Sequence, residues 1–284
     1  LMAIEEVLVK EQPEAILLYG DTNSTMAGAL AAVKLGIPVV HVEAGNRLGT
    51  LNNPEEVNRI VTDHVSTLKM CCTASAMEFL KKEGIENGAH LVGDPMYDAF
   101  KHYTKKVGDS VPENLMSFDD KEIELPEKFY YLTCHRQENT KDENTLTEIL
   151  NAMEALDYPC IYPVHPRNRE MAENIVKTKQ FEKIIICKPV GYLMSIYLTN
   201  HCQKIVTDSG GLQREAFFAG KQCVTVFDYV VWPETMINNR NQLAKPDKKD
   251  ILYKLSRKQI ITHNDAFGDG QSALRIVMHI DALK

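Results

Sequence analysis

Short apolar runs alternate with longer stretches of helical period along this chain, and most apolar runs give way to glycine or polar residues. Residues 15–19 (AILLY), 37–42 (IPVVHV), 70–72, 90–92, 129–134 (FYYLTC), 184–187 and 204–206 have the length and composition of strands. A further strand ends at residues 162–164, the run 184–187 ends at 188–190, and 224–226 reads as the last. Between them lie helical patterns: residues 1–10, an alanine-rich stretch through Lys34 stopped by Gly36, and a helix opening at Pro54, where proline suits a first turn. Others cover 75–83, 141–156, 192–198 and the tail 269–283. Strand and helix signals in strict alternation predict an α/β fold with parallel sheets. Residues 101–128 are charged and poorly periodic, as a linker or domain edge would be. The expected organisation is therefore a Rossmann-like domain over residues 1–103, a second over 104–268, and a helix over 269–284 packing back on the first.

The run VTDSGGLQREAFFAGK, residues 206–221, is the most informative segment. A strand ends in Thr207-Asp208-Ser209, two glycines follow, and a helix begins. Gly210 and Gly211 let a ligand approach the backbone, and the unpaired first amides of the helix favour an anion. Glu215, one turn further, suits a pair of ribose hydroxyls. An ordinary strand-to-helix turn with Ser209 as its cap fits the same residues.

Polar residues recur at the carboxyl ends of predicted strands: Asp21, Glu43, His135, His165 and Ser209. Ligands bind outside those ends in open parallel sheets, so five of them predict a cleft between two domains. Singly they mean less. Asp21 also reads as the N-cap of the next helix, His41 as a packed mid-strand histidine, and Glu55 and Glu56 as first-turn acids favoured by the helix dipole. His135-Arg136 pairs two cations where they would attract a diphosphate. His64, His90, His201 and His263 have no such context and receive no role.

A net charge of -7 without a basic block argues against nucleic acid as a partner, and no apolar run is long enough to span a membrane. Seven cysteines without a C-x-x-C pair suit reduced thiols and a cytoplasmic location. No histidine or cysteine grouping has metal-ligand spacing, so neither a metal nor a cofactor is expected.

Taken in order, Gly20-Asp21-Thr22, His41-Val42-Glu43-Ala44-Gly45, Pro54-Glu55-Glu56-x-Asn58-Arg59, His135-Arg136-x-Glu138-Asn139 and Thr207-Asp208-Ser209-Gly210-Gly211-x-Gln213-x-Glu215 resemble the motifs of the UDP-N-acetylglucosamine 2-epimerases. The resemblance runs the whole length of the chain. It implies the two-domain GT-B fold, a UDP-sugar partner held in the cleft, and a homodimer. It also implies a reaction in which UDP leaves C1 as the C2 proton is removed, giving a 2-acetamidoglucal that takes UDP back with protonation on the other face. Asp21, Glu43 and Glu55 match the acidic positions of that chemistry and His135 its essential histidine. Arg136 would neutralise the diphosphate, Ser209, Gly210 and Gly211 would hold phosphate, Glu215 the ribose, and the backbone near Ser195 the uracil. His165 would complete the substrate-binding set.

Two departures stand out. The family opens on a strand and a glycine turn, whereas residues 1–10 read as a helix already under way. The reading is of a first domain lacking its initial strands, roughly eighty residues, and of a weak enzyme as it stands. The second is Trp232, which precedes Pro233-Glu234 where the family usually has arginine; with the short loop 46–53 it leans toward diacetamido-uronate substrates. Three functions follow: a non-hydrolysing epimerase, a hydrolysing one that releases UDP and the free sugar, and a catalytically inactive UDP-sugar-binding protein.

Overall fold

The computed structural model describes residues 1–262 and 265–283; His263, assigned no role above, and Lys284 lie outside the described residues. The chain forms two compact units, one of Leu1–Ala99 with His263–Lys284 and one of Phe100–Thr262.

The first unit runs α1 (Met2–Glu11), β1 (Ile16–Tyr19), α2 (Asn23–Lys34), β2 (Val39–Ala44), α3 (Pro54–Val65), β3 (Leu68–Cys71), α4 (Ala74–Lys82), β4 (Ala89–Leu91) and the start of α5 (Pro95–Val107). Its four strands are parallel in the order β1-β2-β3-β4. The alanines of α2 bring that helix close to the sheet: Ala29, Ala31 and Ala32 are buried with Leu8 and Val39. At Gly28 an added Cβ would stand 3.0 Å from a Leu18 methyl, so a larger residue would push the helix away. The opposite face, Val40, Val42 and Met70, is covered by Ile276, Ile280 and Leu283 from the end of the chain.

The second unit holds a small antiparallel hairpin, β5 (Leu115–Met116) and β6 (Glu122–Ile123), and a six-stranded sheet. The larger sheet is built from β7 (Tyr130–Thr133), β8 (Cys160–Pro163), β9 (Ile184–Cys187), β10 (Lys204–Thr207), β11 (Gln222–Thr225) and β12 (Asn241–Leu243). Between these strands run α6 (Gln137–Thr140), α7 (Glu143–Glu154), α8 (Arg169–Lys179), α9 (Tyr192–His201) and α10 (Gly210–Phe218); α11 (Lys248–Ser256) follows, and α12 (Ser272–Asp281) belongs to the first unit. Alternate residues of each strand feed two cores. Tyr130, Leu132 and Val206 lie in one, Tyr131 and Ile205 in the other. The strand order is β12-β11-β10-β7-β8-β9. The chain thus winds outward in one direction from β7 and in the other from β10, and the ends of these two adjacent strands form a topological switch point.

The sequence reading missed β12, because Asn241-Gln242-Leu243 has only one strong apolar residue; the strand is recognisable from its pairing with β11. It also predicted no helix over α6, and began the next helix at Lys141, ahead of Asp142, which caps α7 by accepting from Thr145 N. Residues 101–128, read as a linker or domain edge, contain the second half of α5 and the β5–β6 hairpin.

β1 is an edge strand with Leu17 42% and Tyr19 58% exposed, whereas Ile205 and Val206 of β10 are fully buried between neighbours. Amide exchange in β1 should accordingly be at least about 100-fold faster than in β10. Equal protection by hydrogen-exchange mass spectrometry would contradict this ranking.

Candidate active-site residues

At the switch point of the second unit, one buried carboxylate shapes two loops. Asp208 follows β10 and is 1% exposed. It accepts hydrogen bonds from the backbone amides of His135 (2.9 and 3.1 Å) and Arg136 (2.8 Å) and from Asn139 Nδ2 (3.3 Å), while His135 Nδ1 lies 3.2 Å away. Thr133 and Thr207, register partners on β7 and β10, join their hydroxyls at 2.6 Å just below. The loop after β8 is attached as well. Arg167 donates to the His135 carbonyl at 2.9 Å, and its own amide bonds His165 Nδ1 at 3.2 Å. The structure therefore brings His135, Arg136, His165 and Ser209 to one end of one sheet.

Ser209 does cap α10, its hydroxyl accepting from Leu212 N at 3.3 Å. Gly210 and Gly211 are not a turn before the helix, as the sequence suggested, but its first two residues, and neither has positive φ. A Cβ at Gly210 would meet only the Trp232 indole nitrogen, at 4.0 Å. Packing within the protein does not require glycine there, so the open approach to the helix amides is what a bulkier residue would remove.

Glu215 lies deeper than a surface ligand group, at 5% exposed. Burial pushes its pKa up, against the opposing influence of a Tyr192 hydrogen bond and the Arg214 charge. Its Oε1 is buried and has no hydrogen-bond partner. Ser195, on the same helix as Tyr192, bonds the Tyr131 hydroxyl at 3.1 Å. Arg136 stacks its guanidinium on Phe227, 4.3 Å from the ring centroid, and donates to the Tyr229 hydroxyl. Trp232 is buried with the Arg214 guanidinium 4.1 Å above its ring. A cation is thus present beside the tryptophan that replaces the expected arginine, supplied from α10.

In the first unit Asp21 is not the cap of α2. Thr22 takes that role, accepting from Thr25 N at 3.2 Å. Arg59 instead holds Asp21 by two bonds to Oδ2, at 3.0 and 2.6 Å, and Asn58 donates to its carbonyl at 2.9 Å. The neighbouring acids of α3 divide their roles. Glu56 is buried, bonds Arg59 at 3.0 Å and accepts the amides of Leu48 and Gly49 at 2.8 and 2.9 Å, so it fixes the 46–53 loop. Glu55 is exposed in the first turn. Glu43 lies within β2 at a register shift between Val42 and Ala44, with φ +72. A left-handed glutamate is an uncommon, strained conformation of the kind found at functional positions.

Sequence reasoning missed Asp63. It lies near the end of α3, fully buried, and bonds His41 Nδ1 (2.6 Å), Gly45 N (3.0 Å) and Arg47 Nη1 (2.7 Å). The sequence carried no signal for it, since a helical pattern reads the same whether an acid on it is buried or solvated. Arg59 and Asp208 were visible in their motifs but had been given no role of their own.

Residues 1–281 match the sequence profile of the family described as UDP-N-acetylglucosamine 2-epimerase. The chain belongs to this family. It is 42% identical over 283 residues to a UDP-N-acetylglucosamine 2-epimerase homolog of Methanococcus maripaludis, a match covering 98% of this chain and 78% of that protein. It is 39% identical over 293 residues to the UDP-2,3-diacetamido-2,3-dideoxy-D-glucuronate 2-epimerase of Pseudomonas aeruginosa, covering 100% and 79%. The crystal structure of Methanocaldococcus jannaschii UDP-GlcNAc 2-epimerase in complex with UDP-GlcNAc and UDP superposes with a TM-score of 0.85 at 33% identity, covering 99% of this chain and 79% of that one. The expected α/β class, with Rossmann-like parallel sheets of the GT-B type, is thus the fold of solved epimerases, and the family's named activity is that of an isomerase. Among the described residues no helix is long and apolar enough to cross a membrane.

Proposed function

We propose that this chain acts on UDP-N-acetylglucosamine or a related UDP-acetamido sugar, interconverting it with its C2 epimer by elimination and re-addition of UDP. The observation that carries the nucleotide half is the end of β7 and β10, where a helix N-terminus free of side-chain obstruction, the His135-Arg136 pair and the unsatisfied Glu215 oxygen occur together. Phosphate oxygens would take the amides of Gly210 and Gly211 with the Ser209 turn, and Arg136 would add a charge-assisted bond. The ribose hydroxyls would donate to Glu215, and the backbone about Ser195 would meet the uracil. His135 would stand by the departing diphosphate, with His165 completing the substrate-binding set.

The acids of the first unit would move the proton. One carboxylate among Asp21, Glu43 and Glu55 takes H2 as the C1–O bond to UDP breaks, its electron pair going to the leaving phosphate oxygen and leaving a C1–C2 double bond. In the return step a carboxylic acid protonates C2 on the opposite face while the UDP oxygen bonds C1 again. The protein gains and loses no net proton over the cycle.

A diacetamido-uronate is one such related sugar, supported by Trp232 with Arg214, a cation next to an aromatic face, while relatives named for the two sugars are about equally similar, at 39% and 40% identity. Seven cysteines, all free thiols and all buried, support a cytoplasmic setting, and the family resemblance a homodimer. The deciding experiment is NMR of each UDP-sugar incubated with the protein in deuterium oxide. Deuterium at C2 in both epimers, each still bearing UDP, supports the proposal. Free sugar with UDP would mean the hydrolysing reaction, and an unlabelled C2 epimer would mean that hydrogen leaves and returns to C2 without exchange with solvent, against the proposed acids.

Glu215→Ala should weaken UDP binding by roughly 1–3 kcal/mol through lost bonds to the ribose hydroxyls. The proton linkage has a definite sign. Because the folded pKa is raised, the stability contributed by neutral Glu215 is full below the usual carboxylate value and is lost as pH rises through the raised one. Hydroxyls donating to the carboxylate reverse that preference, so UDP binding should release a proton in this window. Calorimetry in buffers of different ionisation enthalpy measures both quantities, and UDP affinity unchanged in Glu215→Ala would remove Glu215 from the site.

A further inference from the structure

His41 and Asp63 lie outside the set of groups assigned to the substrate, yet they are wired to two of its acids. The His41 ring is completely buried in the middle of β2. Its Nε2 is 2.8 Å from the Gly20 carbonyl oxygen and its Nδ1 is 2.6 Å from Asp63 Oδ1. A carbonyl and a carboxylate can only accept, so both ring nitrogens carry protons and the ring is an imidazolium. Asp63 Oδ2 accepts from the amide of Gly45 and from Arg47, which in turn grips Glu83 through Nε and Nη2 at 2.7 and 2.8 Å. A continuous file of bonds therefore runs from the Gly20 carbonyl through His41 and Asp63 to the Gly45 amide. Gly20 immediately precedes Asp21. His41 and Gly45 stand two residues before and two residues after Glu43.

We infer that His41 and Asp63 form a buried positioning couple that holds Glu43 in its left-handed conformation and fixes the turn bearing Asp21 relative to it. The inference rests on the proposed roles of those two acids. One carboxylate clamps both flanks of Glu43, and the backbone between them must take up the register shift and the positive φ. Strain of that kind persists only where the surroundings over-determine it. Gly45 is part of the same fixation, since at φ +85 a Cβ there would approach the Ala76 carbonyl oxygen to 2.5 Å. Alternative uses of the couple are poorly served: the His41 ring reaches no solvent, and both of its nitrogens are engaged. Burial works against its charge, but the Asp63 bond and charge, the Gly20 carbonyl and the Glu43 charge outweigh it and hold the pKa above the usual histidine value. Burial likewise opposes ionised Asp63, and His41 and Arg47 overcome it, holding its pKa below the usual carboxylate value.

The test uses Asp63→Asn and His41→Gln in the full chain, with three readouts. Nitrogen-15 NMR of the unsubstituted protein at pH 7.5 should find both His41 ring nitrogens protonated, and Asp63→Asn should leave one proton. A crystal structure of Asp63→Asn should find Glu43 relaxed to negative φ. Turnover in both variants should fall about 100-fold, as a displaced catalytic group does, with KM within about threefold. A neutral His41 in the unsubstituted protein overturns the inference, as does a Glu43 that keeps positive φ in Asp63→Asn, or a native kcat in that variant. If the unsubstituted protein turns over no UDP-sugar, the epimerase reading falls, while the NMR signature and the Glu43 backbone still decide whether the couple exists and what it holds.

Discussion

Asp21→Asn should lower turnover by about 1,000-fold or more while leaving UDP affinity within about twofold. Losses of that size attend removal of a group that transfers a proton in the transition state. Arg59 anchors Asp21 through one oxygen only, Oδ2, at 2.6 and 3.0 Å, so the carboxylate is oriented by a fixed cation without having all its acceptor capacity consumed there. Arg59 is itself held by Glu56, which also fixes the 46–53 loop. An amide in place of the carboxylate keeps the shape and can keep one bond to Arg59, but it cannot accept or deliver a proton. Nucleotide affinity is untouched because the groups proposed to bind UDP belong to the other unit. Measured kcat within tenfold of the unsubstituted protein would remove Asp21 from the chemistry. A parallel loss of UDP binding would instead make it a substrate-binding residue. The same comparison for Glu43→Gln and Glu55→Gln separates two environments, a strained strand position and an exposed first helical turn.

The fold class was legible because buried parallel strands write themselves as apolar runs, and because Gly20, Gly36 and Pro54 mark where elements stop and start. β12 was not legible. Asn241-Gln242-Leu243 is a strand by virtue of β11 and of buried polar bonds such as Thr225 Oγ1 to Asn241 at 2.7 Å, a tertiary effect that local pattern does not carry. At the site, strand ends pointed to Asp21, His135 and Ser209, but the residues that hold them could not be read in the same way. Asp208 was seen as part of a motif, while the three groups that donate to it come from sequence more than sixty positions earlier. Asp63 bonds residues 16 to 22 positions away, and nothing in a helical pattern distinguishes a buried acid from a solvated one. Glu55 and Glu56 looked alike as first-turn acids. Only the fold separates the exposed one from the one that fastens a loop.

Asp208→Ala should be the most damaging single change in the second unit, lowering its stability by about 3–5 kcal/mol. The carboxylate is 1% exposed and accepts from two backbone amides and one side-chain amide, with the His135 ring 3.2 Å away, so its loss leaves several donors at the strand ends without their acceptor. Asn139 retains its bond to the Val226 carbonyl at 3.1 Å, but the loop after β7 loses what turns it toward β10. UDP binding should weaken by about 100-fold in consequence, because His135 and Arg136 are carried by that loop. Asp208→Asn keeps the volume and one acceptor oxygen and should fall between the two, near 1–2 kcal/mol. Denaturant titration gives the stabilities, and calorimetry at a temperature where each variant is folded gives the affinities. A folded Asp208→Ala that binds UDP within about threefold of the unsubstituted protein would mean that the β7 loop holds its shape without this carboxylate, and that the nucleotide does not depend on His135 and Arg136.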